Sequence, residues 1–393
     1  MTDKEQKPKQ LSAIDLFSGA GGFSLGAINS GLTVLAAIEL DENAAITYRN
    51  NIVGKYSAIT KLYSKDILQI DPTAFREELN LATGELDVLV GGPPCQGFST
   101  HRINGKGVDD PRNMLLLRYF DFVKELEPKI FLVENVPGLL WKRHETYLTQ
   151  FNELAVAHGY QMFAPVKLNA KNYGVPQNRE RVFILGVRKG ISTEKLQWPP
   201  ASTHFAPNKG KPEWLNASSV FEVPPALALE ELALKIKKEI VDTLSFGKAI
   251  AKLDEDSSAL HMNHTDGLIT RFNNTPINGG REESGFKLPC HSGDHKGHKD
   301  VYSRIRLAQP GPTMTTGCFN PSKGRFLHPW ENHGITIRHA ARFQTFPEDF
   351  VFSNGLTSQG KQVGNAVPVK LAEHLLTCLK NFLINSPPIT EEK

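Results

Sequence analysis

Residues 15–26 read DLFSGAGGFSLG, an apolar strand end running into Gly19, Gly21 and Gly22 and then into helical spacing. Glycines let the backbone turn tightly and approach a ligand closely, and the start of the helix behind them favours negative charge. The segment is therefore one βα unit with a ligand-facing turn. Outward from it the same alternation repeats. Strand candidates are 12–17, 33–40, 86–92, 129–136 and 181–188, and helical spacing covers 22–31, 41–51, 72–80, 112–126 and 145–158. Asp41 and the pair Asp71-Pro72 stand where helices start. Alternating strands and helices predict an open α/β, mostly parallel sheet.

Glu39 follows Gly19 by 20 residues at the end of the next strand candidate, where a carboxylate can accept hydrogen bonds from two ribose hydroxyls. This placement implies a nucleoside-containing cofactor. The spacing GxGG lacks the third glycine of GxGxxG, which weakens a dinucleotide reading.

Around residue 190 the texture changes to proline-rich stretches, and strand–helix alternation fades until about 330. The expected organisation is a catalytic and cofactor-binding domain over 11–190, completed by 355–385, with a smaller domain over 191–354. One charged helix is expected at 226–241 and a returning helix at 367–384, with mobile tails at 1–10 and 386–393. Hydrophobic residues are 40% and charged residues 22% of the 393, ordinary globular usage that excludes a disordered or coiled-coil chain. The polar start and the lack of any apolar run near 20 residues predict an unsecreted, cytoplasmic protein with no membrane partner. Four scattered cysteines are too few for a disulfide framework. Between 287 and 342 nine basic residues face three acidic ones, the footprint expected of a polyanion contact or, more plainly, of a solvated face.

Three further segments carry chemistry. In GGPPCQGFS (91–99), Pro93 and Pro94 stiffen the approach and Gly97 loosens the backbone after it, presenting Cys95 beyond the carboxyl end of a buried strand. A thiolate nucleophile fits that place; a small buried hydrophobe is the alternative. KIFLVENV ends with Glu134 at the mouth of the same crevice, and an acid closing an apolar run needs a reason. In QNRERVF (177–183), period-two alternation puts Arg179 and Arg181 on one face, a pair suited to an oxyanion or carbonyl. Cys290, His291, His295 and His298 are close together, but without the spacing of a zinc site, and no metal is expected.

In this order, with GKQVGNAVP (360–368), these segments resemble the DNA cytosine-5 methyltransferase family of bacterial restriction–modification type. The resemblance implies a Rossmann-like methyltransferase sheet with an inserted target-recognition domain, acting as a monomer on double-stranded DNA, and a companion restriction endonuclease. It implies S-adenosyl-L-methionine held by Phe17, Gly19, Gly21, Gly22, Glu39, Asp66, Ile67, Asn365 and Ala366. Cys95 would be the nucleophile toward cytosine C6, Glu134 the acid beside the ring, and Arg179 and Arg181 the support for Glu134 and the cytosine carbonyl. Within the basic block, Arg304, Arg306, Lys323 and Arg325 are expected to contact phosphate or base edges and Thr313 the DNA backbone, with Gln96 and Ser99 as further DNA contacts. Leu40 stands where many relatives carry an aromatic, and Ala366 where many carry Ser. A tRNA substrate, a catalytically silent DNA-binding relative and a nicotinamide-dependent enzyme remain as rival readings.

Overall fold

The apolar runs of the first half pair as one sheet. The computed structural model describes residues 10–94, 114–250, 256–285 and 300–386. Its strands are β1 (Ser12–Leu16), β2 (Thr33–Glu39), β3 (Lys61–Ser64), β4 (Val88–Gly91), β5 (Ile130–Asn135), β6 (Tyr160–Met162), β7 (Val166–Asn169) and β8 (Glu180–Arg188). The order is β3-β2-β1-β4-β5-β8-β6, with β7 paired to β8. The pairings from β3 through β5 are parallel, and β8 runs antiparallel to β5 and β6. The central strands are buried on both faces, which is why they read as continuous apolar runs. Chain order reverses between β1 and β4, so a crevice opens beyond their carboxyl ends, the ligand position of such sheets.

Helices α1 (Gly22–Asn29), α2 (Glu42–Tyr48), α3 (Pro72–Glu78), α4 (Met114–Leu126) and α5 (Glu145–Ala157) alternate with these strands. Asp41 and Asp71 cap α2 and α3 by accepting from the amides of Ala44 and Ala74. Leu116, Phe120 and Val123 of α4 and Phe151 and Ala155 of α5 join the core with strand residues such as Leu89 and Phe131.

The chain divides into two units, one of residues up to 168, 180–201 and from 371 onward, the other of 169–179 and 202–370. The division differs from the expected boundaries at three places: 169–179 and 355–370 belong to the second unit, and 191–201 to the first. Buried side chains explain the first two. The Gln177 side-chain amide donates to the Phe343 carbonyl at 3.0 Å and to Gln344 at 2.9 Å, and Gln344 in turn donates to the carbonyls of Val363 and Ala366. The second unit carries α6 (Ala226–Lys235), α7 (Lys238–Val241), α8 (Asp266–Asn273), α9 (Ile337–Phe343) and α10 (Leu356–Asn365). Its β contacts among the described residues are isolated bridges. The expected helix at 226–241 is two helices, because Ile236 is extended. Helix α11 (Val369–Asn385) buries Leu371, Leu375, Leu376 and Leu379 in the return. Among the described residues no helix is long and apolar enough to cross a membrane.

Candidate active site

The turn after β1 is built on left-handed backbone at Phe17, Gly19 and Gly21. At Gly19 (φ +55°) a Cβ would meet nothing within 4 Å, so its need for glycine is conformational and the space beside it is open. Its amide donates to Glu39 Oε2 at 2.7 Å, and the Asp41 amide donates to Glu39 Oε1 at 2.7 Å. One carboxylate thus ties the end of β2 to the turn after β1, with lone pairs left for further donors. Burial raises the pKa of Glu39. Leu40 beside it is 65% exposed.

Asp66 accepts from the Leu68 amide through Oδ1 at 3.0 Å and caps a short turn at Ile67–Gln69. The Ile67 side chain is in the core and its carbonyl accepts from Arg118 Nε, so the amide is the group it has left to offer a ligand. Both residues follow β3, parallel to β2.

The second cluster lies beyond β4 and β5. Glu134 is 8% exposed and forms an ion pair with Arg181 Nε at 2.8 Å. Antiparallel register sets this up, since Glu134 and Asn135 lie opposite Phe183 and Val182 and the next residue of β8 is Arg181. Arg181 Nη1 donates to the Glu180 carbonyl. Nη2 has no partner among the described residues. Asn135 Nδ2 donates to the Pro93 carbonyl at 3.2 Å, fastening the loop after β4 to the end of β5. A Cβ at Gly92 would sit 3.1 Å from Glu134 Oε2, so glycine lets this loop pass against the carboxylate. Cys95, Gln96 and Ser99 lie outside the described residues, which reach Pro94. Asn135 was missed in the sequence, where a buried amide next to a strand-end acid was its signal.

Arg179 belongs to the second unit, whereas Arg181 belongs to the first. Arg179 is fully buried and donates to the carbonyls of Met314, Gly364 and Ala366 at 2.8, 2.9 and 3.0 Å. Strand β8 begins at Glu180, so Arg179 precedes the strand whose alternation pairs it with Arg181. Asn365 is exposed, whereas Ala366 is buried with its carbonyl held by Arg179 and Gln344.

The basic block also needs correction. Arg304 is 3% exposed, and all five of its N–H donors are occupied, by the carbonyls of Thr275, His328, Glu331 and Phe272 and by Asn332 Oδ1. Burial lowers its pKa to about 10, which leaves it charged. It is a structural cation and cannot reach phosphate. Arg325 is held by the carbonyls of Gly279 and Arg304 and by Asp300, Arg338 by Asp256, and Arg342 by Glu348. The Thr313 hydroxyl donates to the Asn178 carbonyl. Arg306 and Lys323 are exposed, with no partner among the described residues. Arg304→Ala is therefore expected to destabilise the second unit by about 3–5 kcal/mol, as orphaned buried acceptors require. Arg306→Ala and Lys323→Ala should leave stability within about 0.5 kcal/mol and each reduce the salt slope of DNA binding by about one unit. Urea melts and binding isotherms at several salt concentrations check both statements.

Cys290, His291, His295 and His298 lie outside the described residues. A different group, Glu222, His328 and His339, brings one potential ligand atom each to within 4.8 Å of the others. The Glu331 amide donates to His328 Nδ1 at 3.0 Å and the Thr336 amide to His339 Nδ1 at 3.3 Å. Accepting at Nδ1 leaves the proton on Nε2, the atom a metal would need bare. These imidazoles are core histidines facing a carboxylate. Burial lowers the pKa of His264, His328 and His339, and that of His333 to about 4. The unfolded chain takes up protons near 6.5 and the folded unit only well below, so their stabilisation is complete above about 6.5 and is lost as pH falls toward 4. Denaturation midpoints should drop between pH 6.5 and 5; a flat profile there would contradict this.

A family profile described as C-5 cytosine-specific DNA methylase matches residues 11–381. The chain belongs to that family. It is a DNA cytosine-5 methyltransferase with the Rossmann-like sheet of the class. Similar proteins include the type II methyltransferase M.AgeI of Thalassovita gelatinovora, 29% identical over 94% of this chain and 99% of the relative. M.FnuDI of Fusobacterium nucleatum is 30% identical over 97% of this chain and 98% of its own. A solved Escherichia coli structure, described as a candidate DNA modification methyltransferase encoded within a prophage, aligns with a TM-score of 0.63 at 26% identity, covering 96% of this chain and all of that one.

Proposed function

We propose that this methyltransferase modifies C5 of a flipped-out cytosine in a short, specific duplex sequence through a covalent bond between Cys95 and C6, and that it partners a restriction endonuclease. The observation that carries the reading is the cluster at the ends of β4 and β5. Asn135 fixes the Pro93 carbonyl two residues before Cys95, beside the Glu134–Arg181 ion pair.

S-adenosyl-L-methionine, when bound, supplies an electrophilic methyl group. The residues after β1, β2 and β3 fit it. Gly19 leaves open space at a turn whose left-handed backbone also includes Phe17 and Gly21, with Gly22 beginning the helix behind it, Glu39 keeps lone pairs for ribose hydroxyls, and Asp66 with the Ile67 amide offers an acceptor and a donor for adenine. Exposed Leu40 provides an apolar face in place of an aromatic. Asn365 and Ala366 belong to this reading by family likeness.

The Cys95 thiolate adds to C6, and Glu134 holds a proton at N3 while that bond forms. Arg181 Nη2 is the donor available to the ring carbonyl. Loss of the C5 proton later expels the thiolate and restores the ring. A base inside a duplex cannot meet Cys95, so it is extruded at a cost of a few kcal/mol. Arg306, Lys323, Gln96 and Ser99 are the contacts assigned to DNA, while the Thr313 hydroxyl is engaged by the Asn178 carbonyl. Methylation-sensitive sequencing of DNA from an expressing host should show 5-methylcytosine at one short motif. Transfer to tRNA in preference to duplex DNA, or no transfer at all, would overturn the reading.

A further inference from the structure

Beneath the turn that carries Gly19 lies a buried polar chain that the chemistry above does not use. Asp15 is in β1, and its carboxylate accepts from the Ser24 hydroxyl at 2.6 Å. The Tyr48 hydroxyl donates to Ser24 Oγ at 2.8 Å. All three residues are at most 1% exposed. The reason for burying a carboxyl here is local. The cap residue before helix α1, Gly21, has no side chain to offer, and the Ser24 hydroxyl of the first turn is held by Asp15. Asp15 thus fixes the start of α1 and with it the turn from Phe17 to Gly22.

Among the described residues, the titratable groups that face Asp15 are Glu39 from β2, Tyr48 from α2 and Tyr119 from α4, with no cation among them. We propose that Asp15 is a positioning residue for the cofactor turn, and that the charge of this buried carboxylate sets the preference for the sulfonium cofactor over its neutral thioether product. The inference rests on the reading that S-adenosylmethionine binds at this turn. A carboxylate with no cation partner attracts a nearby positive sulfonium and does nothing for a thioether of the same shape. A neutral carboxyl at the same place loses that discrimination while keeping its hydrogen bonds. Burial raises Asp15 to about 7, against the lowering effect of Ser24, so the carboxyl changes charge near neutrality.

The test is calorimetric binding of S-adenosylmethionine and of S-adenosylhomocysteine to the intact enzyme at pH 6 and pH 8, without DNA. In the wild type the affinity ratio should shift toward the sulfonium by roughly tenfold as pH rises, the size of one unpaired charge acting through protein. In Asp15→Asn the ratio should not move with pH, and any titration of the ligands themselves is common to both proteins. Ser24→Ala, which removes a donor to the charged form, should move the midpoint of the change to higher pH and serves if Asp15→Asn does not fold. A ratio that shifts equally in Asp15→Asn, that stays constant in the wild type, or whose midpoint ignores Ser24→Ala would overturn the inference. If neither ligand binds the wild type, the cofactor reading itself falls, and this inference with it.

Discussion

Glu134→Gln is expected to slow methyl transfer by roughly 10²–10⁴-fold, the range for loss of one general acid, while cofactor affinity stays within about twofold. The substitution keeps the size of a side chain that lies against Gly92 and is nearly buried, so the loop toward Cys95 should hold its course. What it removes is the proton that can be given to N3 and the charge paired with Arg181. Arg181→Lys should cost part of the same effect, since a lysine cannot hold Glu134 through one nitrogen and offer another to the ring. Single-turnover rates with saturating cofactor and duplex are the measurement, with circular dichroism confirming the fold. A loss below about tenfold in folded Glu134→Gln would remove Glu134 from the acid's role.

The strands that build the crevice were legible because they are buried on both faces and so read as apolar runs. Strand β3, KLYS at 61–64, was not, because its pattern is half-exposed and four residues carry no periodicity. Helix starts at Asp41 and Asp71 were legible from capping chemistry. The break between α6 and α7 was not, since Ile236 and Lys237 carry no glycine or proline signal.

Among the candidate site residues, those on strand ends and tight turns have surroundings that local geometry fixes. Glu39, Glu134 and Arg181 meet partners supplied by neighbouring strands and turns. Arg304 and Arg325 were misread for a physical reason. A unit with few strand ladders leaves many loop carbonyls without partners, and buried guanidinium groups satisfy them. Charge counting along the chain cannot distinguish Arg304, which fills such a role, from exposed Arg306. The same holds for Arg179, whose three carbonyl partners lie more than a hundred residues away in sequence.

Cys95→Ser is expected to abolish turnover while leaving cofactor binding intact, because a serine hydroxyl near neutral pH is far less ionised and less nucleophilic than a thiol. The central claim is the covalent bond itself. If the Cys95 thiolate adds to C6 and the C5 proton must leave before it can depart, a fluorine at C5 stops the reaction after methyl transfer with the enzyme still attached. The most direct measurement is denaturing electrophoresis after incubation with S-adenosylmethionine and a duplex carrying 5-fluorocytosine in the recognition site. A protein–DNA band that appears with the wild type and vanishes in Cys95→Ser is the predicted result; active enzyme that gives no such band, or Cys95→Ser that turns over at the wild-type rate, would contradict it.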